Sequence, residues 1–218
     1  MIEEIRKIGI LGGTGALGSA LTKKWAIAGY EILIGSRDPV KAQKIATQVN
    51  SELNVNNIQG LDSKAAARES DISVLTVPYS SHADTLNLVK EDLKGKILID
   101  TTVPLKKMVT KVQLPAIGSA AMEAQIILGT KVEVVAALQN IGSHLVSSED
   151  TISAEVLVTG NNKGSAETVM SLLSCLGLKC WYAGGLENSA AAEALTSVLI
   201  VINKNYKLKS SGIKITSH

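Results

Sequence analysis

Phenylalanine is absent from this chain, and two Trp and four Tyr bring the aromatic share to only 3% of 218 residues. Proteins that hold single-stranded nucleic acid stack bases on aromatic rings along a basic groove. The formal net charge is +2, from 22 Lys and Arg against 20 Asp and Glu, so neither part of that pattern is present and no nucleic-acid partner is expected. Cysteine is scarce too. Cys175 and Cys180 have neither zinc-ligand nor CxxC redox spacing and read as buried, reduced thiols. No ligand cluster suggests a metal. The longest apolar run, Ala190 to Ile202, is interrupted by Glu193 and falls short of the roughly 20 residues that cross a bilayer. The opening MIEEIRK mixes acids and bases and leads straight into a strand, unlike a signal peptide, which places the expected location in the cytoplasm.

What is present is a globular balance of 45% hydrophobic and 19% charged residues, in a chain long enough for one large domain or two small ones. Short Ile- and Val-rich runs alternate with longer segments of helical period, the mark of βαβ units and a parallel sheet. Strands are predicted near Ile8–Gly12, Glu31–Gly35, Asn57–Leu61, Ile72–Val77, Lys96–Asp100 and Val132–Leu138. Helices fall between them, near Gly15–Ala28, Pro39–Asn50, Ser63–Glu69, Ser80–Glu91 and Ser119–Leu128. Six such strands nearly complete a doubly wound sheet. A polar stretch, QNIGSHLVSSEDT, then leads into strand Glu155–Thr159, helix Ser165–Leu176, strand Leu178–Ala183 and the long helix Asn188–Tyr206. The expected organisation is a domain over residues 1–140 with a smaller α/β portion, 141–218, packed on it and a substrate cleft between.

The first strand runs into GGTGALG, in which Gly13, Gly15 and Gly18 fit GxGxxG between a strand and a helix. In such a turn Gly13 makes the bend, Gly15 admits a pyrophosphate to the backbone, and Gly18 lets helix approach strand. Free N–H groups at the helix start meet the phosphates, while Thr14 could add a hydroxyl or merely cap the helix. The motif in this setting predicts a Rossmann-type dinucleotide site.

Which dinucleotide is read at the end of the second strand, where an NAD enzyme places an acid for the ribose hydroxyls. Here the sequence is EILIGSRDPVKA, with Gly35 and Ser36 at that place, Arg37 next and Lys41 in the first turn of the following helix. Cations near a helix N-terminus are disfavoured unless an anion joins them. Ser36, Arg37 and Lys41 therefore point to the 2′-phosphate of NADP, with Asp38 and Pro39 explained separately as N-cap and first helical residue.

The remaining strand ends read TVPYSSHADT, DTTVPL and ALQNIGSH. A simple carbonyl reductase needs a proton donor there. His82 reads most simply as a solvated residue at a helix start; no Tyr-xxx-Lys pair occurs, and the last helix offers only Asn203 and Lys204 near its end. No catalytic acid or base is assigned to His82, His144 or any other residue. Hydride exchange between two redox cofactors needs stacked rings more than an acid, and the small, amide-bearing stretch Ala136–Ser143 suits a flat ring.

Together, GGTGALGSAL, ILIGSRDPVKA, SVLTVPYSSHADT, GLENSAAAEALTSVLIVIN and the closing GIK resemble, in order and over nearly the whole chain, the NADPH-dependent coenzyme F420 reductases. The resemblance implies hydride transfer between nicotinamide C4 of NADP and C5 of the 8-hydroxy-5-deazaflavin of coenzyme F420, usually by an archaeal or bacterial homodimer. It places Thr14, Ala16 and Leu17 on the pyrophosphate and ribose, and Ser36, Arg37 and Lys41 on the 2′-phosphate. Val77, Pro78 and Tyr79 would flank the nicotinamide. Gln139, Asn140, Ile141, Gly142 and Ser143 would line the deazaflavin slot with Ser211–Ile213. Two other readings stay open: an NADPH-dependent reductase of an imine, a flavin or a ferric complex, and a non-catalytic NADP-binding redox sensor.

Overall fold

The computed structural model describes residues 5–147 and 153–216. Met1–Glu4, Ser148–Ile152 and Ser217–His218 lie outside the described residues, and with them most of MIEEIRK and part of the polar stretch. The elements are β1 (Lys7–Leu11), α1 (Ala16–Ile27), β2 (Glu31–Ser36), α2 (Pro39–Leu53), β3 (Ile58–Asp62), α3 (Ser63–Glu69), β4 (Ile72–Leu75), α4 (His82–Val89), β5 (Ile97–Asp100), α5 (Ala120–Leu128), β6 (Glu133–Ala136), α6 (Ser143–Ser147), β7 (Glu155–Gly160), α7 (Lys163–Ser174), β8 (Lys179–Tyr182) and α8 (Ser189–Tyr206).

All eight strands join one sheet in the order β3-β2-β1-β4-β5-β6-β7-β8. The first six are parallel, β7 runs antiparallel to β6, and β8 is parallel to β7. Strands such as ISVL and ILID are mostly apolar and buried on both faces because helices cover both sides of a parallel sheet. One face packs Ile8, Ile10, Leu21, Trp25, Val156 and Leu172; the other packs Leu11, Leu33, Leu75, Leu86 and Leu98. The smaller C-terminal portion thus extends the sheet of the first through β6 and β7. Trp25, fully buried on α1, donates its indole N–H to the carbonyl of Leu172 on α7 at 3.1 Å and ties the two portions together.

Side chains set where helices begin. Asp38 accepts from the Lys41 N–H and precedes Pro39, as the sequence predicts, and Asp62, Ser119 and Asn162 cap α3, α5 and α7 in the same way. Strand ends differ from expectation where the chain leaves the sheet to build the site. β4 stops at Leu75, and β6 at Ala136, because Leu138 turns the chain through a left-handed conformation at φ 72°. Neither thiol is fully buried: Cys175 is exposed at the C-cap of α7, and Cys180 is half-buried on β8. Burial holds the Cys180 thiol above its ordinary pKa, at about 11. No helix among the described residues is long and apolar enough to cross a membrane.

Gly60 tests the packing of α2 on β3. A Cβ there would land on the backbone of Ala42 and Gln43, which no rotamer change can relieve. Gly60→Ala is expected to lower unfolding free energy by about 3 kcal/mol or more, read by chemical denaturation; an unchanged midpoint would contradict the packing.

Candidate nucleotide and second-ring site

β1 lies between β2 and β4, so the sheet order reverses beside it, and a crevice opens at the carboxyl ends of the strands. The chain crosses this point from Leu11 to Ala16. The residue in the left-handed region is Gly12, at φ 85°, rather than Gly13; the bend falls one residue earlier than the motif suggests because the Gly12 N–H still pairs with the Gly35 carbonyl on β2. Gly18 does what its place in the motif predicts: a Cβ would sit 2.6 Å from the Gly13 Cα and 2.8 Å from Thr76 Oγ1. At Gly15 a Cβ would find nothing closer than 3.6 Å, which leaves this side of the loop open to a ligand. Gly15 is the N-cap of α1 and brings no side chain, so Thr14 is not the cap; Thr14, Gly15 and Ala16 are exposed, Leu17 is half-buried, and Gly13 is buried.

A cavity of about 200 Å³ lies over this turn, lined among others by Thr14, Gly15, Ser36, Arg37, Val77 and Pro78. That is small for enclosing a ligand, so a dinucleotide would lie across the crevice with only part of it inside. Ser36 Oγ, half-buried at the end of β2, accepts from the Asp38 N–H at 3.1 Å, which fixes its hydroxyl beside Arg37. Arg37 and Lys41 are exposed, and neither forms an ion pair among the described residues. Lys41 stands outside the cavity lining, in the first turn of α2. Two cations beside the N-terminus of α2, neither ion-paired among the described residues, form a corner suited to a phosphate, while the Asp38 carboxylate there is turned to the Lys41 N–H as the helix cap.

Beyond Pro78 lies a cluster that sequence reasoning missed. His82 is not solvated but 1% exposed, and its Nε2 is 2.8 Å from Oδ2 of Asp100, which is fully buried at the end of β5. Burial opposes the charged imidazole, yet the hydrogen bond and charge of Asp100, with the fields of Glu123 and Glu193, hold its pKa above the ordinary value. Glu193, 1% exposed on α8, accepts the N–H groups of Ala120 and Ala121 at the start of α5. Burial drives its carboxyl up to about 7 against those two donors; Asp100 adds to the rise and His82 opposes it. Tyr79 donates to Glu123 at 2.9 Å, and its phenol is pushed up to about 12 by burial and then by that carboxylate. An acid ending an otherwise apolar strand, IDTT, was the one signal for Asp100.

The stretch after β6 is mostly committed inward. The Gln139 side-chain amide donates to the Asp100 backbone carbonyl at 2.8 Å, while the Gln139 backbone carbonyl accepts from the Thr196 hydroxyl of α8 at 2.6 Å. Asn140 is 1% exposed; its amide donates to the Glu155 carbonyl and accepts from the Leu157 N–H of β7. Ile141 is buried, Gly142 and Ser143 are half-buried, and His144 is exposed on α6. The Cβ position of Gly142 is 3.4 Å from Ser210 Oγ, so this loop faces the C-terminal tail. The predicted site residues therefore form two groups, one around the glycine loop and one around β7 and the tail.

The pair His82–Asp100 gives a measurable pH dependence. With a raised folded pKa, the stabilisation of protonated His82 is complete below about pH 6.5 and is lost as pH rises through the folded value. Asp100→Asn is expected to bring the His82 pKa, followed by NMR, below about 6.5 and to cost about 3 kcal/mol of stability, the scale for breaking a buried ionic pair. An unchanged titration would contradict the pairing.

A family model described as "NADP oxidoreductase coenzyme F420-dependent" matches residues 7–104. A relative from Methanocaldococcus jannaschii, named F420-dependent NADP reductase, is 36% identical over 97% of this chain and 98% of its own length. One of the same name from Methanothermobacter marburgensis is 35% identical over 97% and 98%. Among solved structures, a candidate F420-dependent NADP reductase from Arthrobacter sp. FB24 superposes with a TM-score of 0.84 over 98% of this chain and all of that one, at 23% identity. An imine reductase from Myxococcus stipitatus shares the fold at 0.63 and 19% identity, over 94% of this chain and 62% of its own. With relatives of that identity along nearly its whole length, the chain belongs to the coenzyme F420-dependent NADP oxidoreductases.

Proposed function

We propose that this chain transfers a hydride between NADP(H) and coenzyme F420. The observation that carries the reading is the convergence of Thr14, Gly15, Ser36, Arg37, Val77 and Pro78 on one cavity, with Gly35 and Ser36 where an NAD enzyme would have an acid and Arg37 directly after them. When both are bound, the nicotinamide supplies or accepts the hydride at C4 and the deazaflavin at C5.

In this reading the open side of Gly15 admits the pyrophosphate, with Thr14, Ala16 and Leu17 along it and the adjoining ribose. Ser36 and Arg37, joined by Lys41 from α2, take the 2′-phosphate. Val77, Pro78 and Tyr79 flank the nicotinamide, and Tyr79 is steadied by its bond to Glu123. Residues 1–140 hold NADP, and 141–218 complete the deazaflavin slot, bordered by Gly142, Ser143 and Ser211–Ile213, with Gln139 and Asn140 holding the loop from behind. No side chain is assigned as acid or base at the reacting carbon; these residues supply proximity and orientation. The exposed apolar side chains Leu105, Met108, Val109, Val112 and Ile117 support a homodimer that covers them; a monomer by sedimentation would remove that part of the reading.

Loss of the equivalent of one charge-assisted hydrogen bond, about 1.5–3 kcal/mol, sets the scale for the 2′-phosphate corner. Arg37→Ala is expected to weaken NADPH binding about ten- to a hundredfold while leaving NADH binding within about twofold, as read by nicotinamide fluorescence titration. Equal NADPH affinity in the two proteins would overturn the assignment.

A further inference from the structure

β6 pairs with β7 only at Thr159 and Gly160, which leaves the first half of β7 without a strand on that side. Two unlike groups fill the gap. The Asn140 side chain takes the Glu155 carbonyl and the Leu157 N–H, as the backbone of a neighbouring strand would. The Glu155 N–H donates to the carbonyl of Ile213 in the C-terminal tail at 2.9 Å. The Glu155 carboxylate, 3% exposed, then reaches along the tail and accepts the Ile215 N–H at 2.7 Å.

That carboxylate is held from the other side as well. Lys179 Nζ lies 3.0 Å from Oε1 and Trp181 Nε1 2.7 Å from Oε2, both on β8, with the Lys179 ammonium also 4.6 Å over the indole ring. These are the charged and polar groups that face it from β8 and the tail. The Ile215 N–H is the strongest influence and, with Lys179 and Trp181, outweighs burial to hold the Glu155 acid down at about 2. The carboxylate therefore stays charged across the physiological range. Close packing adds to the clamp, since a side chain at Gly212 would overlap Ala154, and Ser210 meets the loop at Gly142.

We propose that Glu155 is a positioning residue that pins the tail 211–215 against the loop 140–143, so that the tail forms one wall of the slot for the second, planar heteroaromatic ring. This deepens the reading above and rests on its placing of that ring between loop and tail. Glu155 touches neither ring; it acts through the Ile213 and Ile215 backbone.

The test uses the full chain with Glu155→Gln, which keeps the side-chain shape but removes the charge and presents a donor to donors. Amide exchange at Ile215 is expected to quicken roughly tenfold or more as the tail opens locally. KM for F420 should rise about tenfold, with kcat at saturation and KM for NADPH each within about twofold. Should that variant fail to fold, the full chain with Ile215→Pro, which removes the N–H that Glu155 accepts, serves in its place, with amide exchange read at the Glu155 N–H bonded to Ile213, and the same split between the two KM values is expected. Unchanged exchange at Ile215, or at Glu155 in the second variant, overturns the clamp. Faster exchange with an unchanged KM for F420 overturns the wall. A wild-type chain that binds NADPH but does not use F420 defeats the functional reading instead, while the exchange measurement still decides the clamp.

Discussion

A phosphate can meet backbone N–H groups only where no side chain stands between them, and the turn from Leu11 to Gly18 is arranged around that constraint. Gly12 takes the left-handed conformation, Gly18 lets α1 settle almost on the Gly13 backbone, and Gly15 stays open toward the crevice. Because β1 lies where the strand order reverses, this bare turn opens directly onto the carboxyl ends of β2 and β4. Arg37 follows β2 and Pro78 follows β4. The cavity over the turn is thus a consequence of where the sheet changes direction, and the side chains around it decide what suits it.

The second half of the site depends on a different constraint, the need to satisfy a strand edge. β6 is too short to cover β7, so an amide side chain and the end of the chain stand in for a strand. This explains why Gln139 and Asn140, expected from the resemblance to line the second-ring slot, are turned toward the Asp100 carbonyl and β7. They shape the loop by hydrogen bonds made inward. The left-handed Leu138 is the local cost, on the order of 1 kcal/mol, of turning the chain out of β6 to make them.

The glycine turn and the end of β2 were legible in the sequence because their information is local. The glycine spacing, the missing acid before Arg37 and the Asp38-Pro39 cap each lie within a few residues of one turn. The acidic and imidazole cluster was not legible for the opposite reason. His82 and Asp100 are 18 residues apart, Glu193 reaches Ala120 across 73, and Glu155 reaches Ile215 across 60. Each residue alone looks like an ordinary solvated charge. Only the order of the strands brings them together, and composition carries no trace of that. Cys175 was misread for a similar reason: cysteine is usually buried, but a helix C-cap sets its exposure here.

Two rings must face each other across these two halves for the account to hold. The most direct measurement is anaerobic mixing of the purified chain with oxidised F420 and NADPH, following loss of deazaflavin absorbance, with NADH as the control. Rapid bleaching with NADPH and little with NADH is the predicted result. NADPH bound without bleaching would contradict the second-ring site and leave only the nucleotide half standing.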